Sequence, residues 1–225
     1  MAQDIVKVPK DMEGVFSAAQ EYVGRWFSDI RMVPEEGVIH VGDERYIIVR
    51  AASVSVHFLE FIQALYPALE PVEARDAASR VLYDMAHNIG RADARHFHGA
   101  TRMTEPLEKL STGPIHFAYT GWAKVVIYPE SRTVPDDGFL LVYDHQNSFE
   151  ADAWLAKRGK VDFCTCFMNA GYSAGWCTES FGMPLDAREV TCRSKGDPSC
   201  SFVMAPREHI ARRLAERREG AGPGQ

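Results

Sequence analysis

The run Cys164-Thr-Cys166-Phe-Met-Asn-Ala-Gly-Tyr172-Ser-Ala-Gly175-Trp-Cys177, with Glu189-Val-Thr-Cys192 and Cys200 beyond it, holds all five cysteines of the chain. Its last part decides how the C-terminal half folds. Cys192 and Cys200 flank Arg193-Ser-Lys-Gly-Asp-Pro-Ser199, in which Gly-Asp-Pro is turn chemistry. Glu189-Val-Thr191 before it and Ser201-Phe-Val203 after it read as strands. A hairpin folding about Gly196 sets Cys192 and Cys200 opposite each other, with Cβ atoms roughly 4.5–5.5 Å apart. That geometry suits two thiolates on one metal ion or a cross-strand disulfide.

A tetrahedral zinc ion takes four ligands, mostly Cys and His with an occasional carboxylate, so the hairpin needs two more. Glu189 lies three residues before Cys192. In a regular strand these two point to opposite faces, so Glu189 joins only if the strand starts late or carries a bulge. The remaining ligand comes from Cys164, Cys166 or Cys177. Phe163 to Phe181 reads as a helix, on which Cys177 falls about 16 Å beyond Cys166, too far to share one ion. Cys164 and Cys166 diverge around such a helix by about 200°, so at most one of them serves. Spacing leaves that choice open. Buried, inert thiols are the plain alternative, and a reduced, cytoplasmic setting favours thiols or metal over a disulfide.

Cys166-Phe-Met-Asn-Ala-Gly-Tyr172-Ser-Ala-Gly175, Glu189-Val-Thr-Cys192 and Cys200 resemble the end of the vinyl-reductase-like (4VR) ligand-sensor domain of aromatic-responsive transcription activators of the XylR/DmpR type. In that family the Cys before the Gly-Tyr-x-x-Gly helix, the Glu-x-x-Cys pair and the last Cys bind zinc. The resemblance therefore implies a structural zinc site of Cys166, Glu189, Cys192 and Cys200. It extends over most of the chain: Pro34-Glu-Glu-Gly37-Val-Ile-His-Val-Gly42 with Arg45-Tyr-Ile-Ile-Val49 is similar to the family's opening hairpin. Gly90-Arg-Ala-Asp93-Ala94 resembles its helical Gly-x-x-Asp-Ala, and Glu150-Ala-Asp152 opens the expected helix. The implied fold is α+β, an antiparallel sheet with packed helices, its C-terminal helix and hairpin joined by the zinc site. Residues 1–30 are expected to be an N-terminal helical segment, 31–206 the sensor domain, and 207–225 a charged helical tail or linker.

Taken in order, Val15, Ala18, Ala19, Tyr22 and Trp26 recur at helical spacing. That amphipathic helix needs a partner, either its own domain or a second chain in a homodimer, as in the resembling sensors. Val38–Val41 and Arg45–Val49 read as a hairpin across Gly42-Asp43, and Ala51–Leu65 and Val72–Phe97 as helices broken by Pro67 and Pro71. His96 and His98, two apart on a helix, diverge and are taken as a solvated helix end. After Pro106–Tyr119 come two strands, Trp122–Tyr128 and Gly138–His145, then a helix from Phe149 to about Arg158. Alternation puts Phe139, Leu141, Tyr143 and His145 on one face, a mostly apolar wall ending in an imidazole. Tyr172 and Trp176, four apart, share a helix face.

In the family's phenol-responsive members a His after Gly-Pro and a Trp late in the second central strand hydrogen-bond the phenolic hydroxyl. His116, in Gly113-Pro-Ile-His116-Phe117, matches the first, and His145 stands where the Trp would fall. Imidazole offers one donor and one acceptor but less area than indole. The expected pocket is thus built from His116, Phe117, Tyr143, His145, Tyr172 and Trp176.

With 225 residues, 46% of them hydrophobic, and a net charge of −6, the chain can bury a sizeable core but does not suit nonspecific nucleic-acid binding. No apolar run reaches the roughly 20 residues of a membrane helix. His-Glu-x-x-His, Gly-x-Ser-x-Gly, Gly-x-x-x-x-Gly-Lys and Gly-x-Gly-x-x-Gly are all missing, so no enzyme is expected. The expected function is a cytoplasmic sensor of a small, aromatic ligand in transcription regulation or signal transduction. It would act through an output domain or partner protein, because neither the nucleotide-hydrolysing nor the DNA-binding motifs of the activators occur here. A tetrapyrrole-binding or vinyl-reductase-associated protein and a dimeric scaffold without ligand are the alternatives.

Overall fold

The computed structural model describes residues 5–220. A 3-10 turn at Lys10–Met12 leads into α1 (Glu13–Ser28), followed by β1 (Ile30–Val33), β2 (Val38–Val41) and β3 (Glu44–Tyr46). Helices α2 (Ala51–Val54), α3 (Val56–Ala64), α4 (Pro71–Thr101) and α5 (Pro106–Tyr119) come next. Then follow β4 (Lys124–Ile127), β5 (Leu141–Gln146), α6 (Phe149–Arg158), α7 (Phe167–Phe181), β6 (Leu185–Thr191), β7 (Ser201–Pro206) and α8 (Ile210–Gly220). Two antiparallel sheets result, β1-β2-β3 and β4-β5-β7-β6. The start of the chain lies beside β4, where Lys7 donates to the Val125 carbonyl and accepts from Ile127 N–H.

The larger sheet is covered on one face by α5 and α7, with α4 laid along α7. Its other face packs Val203 and Ala205 against Ile210 and Leu214 of α8. The charged tail read from the sequence is therefore docked at its first turns. Residues 221–225 of that segment lie outside the described residues.

Several boundaries move, each for a local reason. Pro71 does not break a helix but starts α4, at a position where its missing N–H has no intrahelical partner to lose, behind a Glu70/Glu73 capping box. The helix expected over Ala51–Leu65 is interrupted at Ser55, whose φ and ψ of −115° and −83° are not helical. Pro34-Glu-Glu-Gly37 is a turn joining β1 to β2, with Gly37 at φ 64°, so the opening hairpin is a three-stranded sheet. The face of α1 expected to meet a second chain is occupied within this one. Phe16, Ala19 and Val23 are buried as α1 packs on α5, and Tyr22 and Trp26 meet Phe97 edge-on, each at 5.6 Å.

His98 is not solvated. It is buried, with Nε2 3.3 Å from the Lys109 carbonyl and its ring edge-on to Trp176, and burial pushes its pKa down to about 4. His96 does face Asp43 and Glu44 at the rim.

The glycines of the two helical motifs set how closely α4 and α7 approach. A methyl on Gly90 would strike the Tyr172 carbonyl, on Gly171 the Tyr83 carbonyl, and on Gly175 the His87 carbonyl. Backbone presses on backbone at all three, so no side-chain rotation can make room. Gly175→Ala should therefore lower the unfolding free energy by about 1–3 kcal/mol in a denaturant titration, whereas Gly99→Ala, at a position with open space around it, should not.

Candidate metal centre and ligand cavity

The centre is assembled by three local features. Glu189 pairs with Phe202 and Thr191 with Ser201, which leaves Val190 as the extra residue of a bulge. The bulge turns Glu189 to the side of Cys192, the condition its spacing demanded. A 3-10 turn, Arg193–Lys195, closed by Gly196 at φ 103°, then brings Cys200 back beside Cys192. Cys166 comes from the residue that precedes α7. The expected helical start at Phe163 is not formed, so Cys164 and Cys166 lie in the approach to the helix rather than on it. Burial separates them: Cys166 is inside, while Cys164 stays partly exposed.

The sulfurs of Cys166, Cys192 and Cys200 and a carboxylate oxygen of Glu189 all lie within 4.8 Å of one another. The Glu189 Oε2 accepts the Cys166 N–H at 2.8 Å, leaving Oε1 buried with no hydrogen-bond partner among the described residues. Burial holds the Cys166 thiol and the Glu189 carboxyl well above their ordinary pKa values. Hydrogen bonds from Cys164, Cys166 and Cys200 push Cys192 down. Three thiols and an orphaned carboxylate oxygen this close fit a small divalent cation in place of their protons, and four protein donors leave no open position on it. Cys177, eleven residues along the chain from Cys166, lies in another part of the core.

The cavity lies on the other side of α7. Leu110, Gly113, Pro114 and Phe117 of α5, Val125 and Ile127 of β4, Leu141, Tyr143 and His145 of β5, and Tyr172, Ser173, Trp176 and Cys177 of α7 enclose about 30 Å³. Five of the six expected pocket residues line it. His116 does not: it sits behind Tyr172 and Trp176, its Nδ1 3.1 Å from the Tyr172 hydroxyl and its Nε2 3.4 Å from that of Tyr46. Two lining residues are also satisfied by the protein itself. Tyr172 donates to Asp93 (2.8 Å) and Trp176 Nε1 to the Lys109 carbonyl (3.0 Å).

The polar atoms left over are both nitrogens of His145 and the Tyr143 hydroxyl, which make no hydrogen bond among the described residues. Both side chains are almost fully buried. Desolvation lowers the His145 pKa to about 3 and that of His116 to about 4, so both rings are neutral near pH 7.

Residues 141–206 match the family model of the vinyl-4-reductase (4VR) domain. The chain carries a 4VR domain. The transcriptional regulatory protein XylR of Pseudomonas putida is 23% identical over 176 residues, 78% of this chain but 30% of the regulator. The phenol regulator MopR of Acinetobacter guillouiae is 26% identical over 99 residues, 44% of this chain and 18% of that protein. The chain thus spans less than a third of either relative. The crystal structure of the phenol-responsive sensory domain of the transcription activator PoxR with phenol superimposes with a TM-score of 0.72, at 20% identity, over 93% of this chain and 97% of that one. The relatives are named as regulators rather than enzymes, in keeping with the non-catalytic reading of the sequence. No helix of the described residues is long and apolar enough to cross a membrane.

The matched 4VR segment contains all four candidate metal ligands and His145, Tyr143, Tyr172 and Trp176, whereas His116 and Phe117 precede it. Sequence reasoning passes over Ser148, Thr165 and Ser194, whose hydroxyls surround the sulfurs. Single hydroxyls carry no spacing signal, although Ser148 just ahead of Glu150-Ala-Asp152 is legible as a helix cap.

His145 and His116 give a pH test. Unfolded histidine takes up its proton near 6.5, while the folded rings hold out to about 3 and 4. Between about pH 6.5 and 4 the unfolded state binds more protons, so stability falls as pH falls, by up to about 1.4 kcal/mol per pH unit for each ring. Denaturation midpoints across that window should drop less steeply for His145→Phe than for wild type.

Proposed function

We propose that this chain is a sensor of small aromatic molecules bearing a hydroxyl or carbonyl, acting in transcription regulation or signal transduction through an output domain or partner protein. The observation that carries it is the set of orphaned polar atoms, His145 Nδ1, His145 Nε2 and the Tyr143 hydroxyl, on the wall of an otherwise apolar cavity. Each buried polar group left unpaired costs about 1–3 kcal/mol. A neutral imidazole beside a phenol offers a donor and acceptors together, so a ring carrying one polar substituent would pair them. The MopR and PoxR names, which tie those proteins to phenol, support the same ligand class. In this reading the anchor is His145 with Tyr143. His116 buttresses the aromatic wall from behind, through Tyr172.

A cavity of about 30 Å³ has room for about two water molecules, so a ring enters only as wall side chains swing aside. That fullness favours the ligand-free scaffold as the second reading and counts against a tetrapyrrole. Zinc in the Cys166/Glu189/Cys192/Cys200 centre is proposed as structural: three thiolates select a thiophilic ion, and the fixed centre would hold the start of α7 against the hairpin. A homodimer would have to use a face other than α1. Ile30, Met32, Ile47, Ile48 and Val49 lie exposed around the N-terminal sheet.

A thermal-shift screen of phenol, cresols, benzyl alcohol and benzene against the full chain tests the sensor. Ligand that binds only the folded state raises Tm. Hydroxylated rings should raise it and benzene should not, and His145→Phe should abolish the difference. An equal response to benzene, or none to any ring, would leave the scaffold reading in place.

A further inference from the structure

We infer that Ser148 and Ser194 are positioning residues of the metal centre, each directing its hydroxyl proton onto one cysteine thiolate; the inference rests on the proposed zinc reading. Hydrogen-bond directions settle the first case. Ser148 Oγ accepts from Asn169 Nδ2 (2.7 Å) and from the Ala151 N–H (3.4 Å), which occupies both of its lone pairs. Its own proton is left for Cys166 Sγ at 3.2 Å, so that sulfur has to be the acceptor. In the second case Ser194 Oγ lies 2.9 Å from Cys192 Sγ and 2.9 Å from Thr165 Oγ1. A relay from Thr165 to Ser194 to Cys192 uses both hydroxyl protons.

The pattern covers the whole centre. Cys200 Sγ accepts the Arg193 N–H at 3.4 Å, and Glu189 Oε2 the Cys166 N–H at 2.8 Å. Every candidate ligand residue thus has a fixed donor. Charge explains the need. Three thiolates and a carboxylate carry four negative charges, and a divalent cation returns two. The excess sits in a buried place, where unpaired charge is strongly disfavoured. Oriented donors on the ligand atoms are what can offset it.

The test uses the full chain loaded with Co(II), whose sulfur-to-metal charge-transfer band reports electron density on the thiolates. Ser194→Ala removes a donor, so the band should move to longer wavelength, and release of metal to a chromophoric chelator should quicken by about 10-fold or more. Ser194→Thr keeps the hydroxyl and should restore the wild-type band and rate, which a merely structural role would not predict. Ser148→Ala should act in the same direction; because Ser148 also caps α6, Ser148→Thr is its control. If Ser194→Ala does not fold, Thr165→Val, which removes only the outer hydroxyl, should give a smaller shift of the same sign. A wild-type band and release rate in folded Ser194→Ala or Thr165→Val would overturn the inference. Wild-type chain that takes up neither zinc nor Co(II) would overturn the zinc reading itself.

Discussion

Three sulfurs and a carboxylate cannot be pressed within 4.8 Å of one another inside a protein unless something answers their charge or keeps them protonated, and much of the C-terminal half is arranged around that constraint. The bulge at Val190, the 3-10 turn after Cys192 and the late start of α7 each bring one ligand into place. A regular hairpin or an earlier helix would have scattered the four groups. The centre also reaches β5, because Cys200 O accepts the His145 N–H at 2.9 Å and Ser148, just past the strand, meets Cys166. The elements that shape the cavity are therefore tied at the same point.

Close helix contact is the second constraint, and it places the cavity wall. Gly90, Gly171 and Gly175 let α4 and α7 touch backbone to backbone, which fixes α7 with Tyr172 and Trp176 turned toward α5 and β5. Gly113 does the same on α5, where a methyl would collide with the Trp176 ring. Buried Glu150 accepts the N–H groups of Met168 and Asn169 and so secures the first turn of α7, while desolvation raises its pKa to about 8. Rigid packing on three sides leaves the orphaned His145 and Tyr143 as the polar features of the cavity wall open to a new partner.

Much of this is legible in the sequence, for identifiable reasons. Alternation places Phe139, Leu141, Tyr143 and His145 on the buried face because period two is imposed by the strand itself. The condition on Glu189 is legible because three-residue spacing in a strand is physically inconsistent with a shared ligand unless a bulge intervenes. The start of α7 is not, because Phe163 and Phe167 both fit a helical apolar pattern, while the pull of the metal centre on the residues between them is a tertiary effect. The orientation of His116 is likewise invisible: whether a histidine faces a cavity or the layer behind it depends on Tyr46 and Tyr172, from distant parts of the chain. The glycines read as a family signature, and their contact role emerges only when the two helices are seen crossing.

If one metal-filled centre holds α7, β5 and the β6–β7 hairpin together, stripping the metal must loosen all three at once. Hydrogen–deuterium exchange of the purified chain, before and after a strong chelator and with released zinc counted in the same samples, measures this. About one zinc per chain is expected and, on its removal, a joint loss of protection at residues 141–147, 166–177 and 189–203. Zinc-free protein with full protection over those segments, or loss confined to the hairpin alone, would contradict the shared centre.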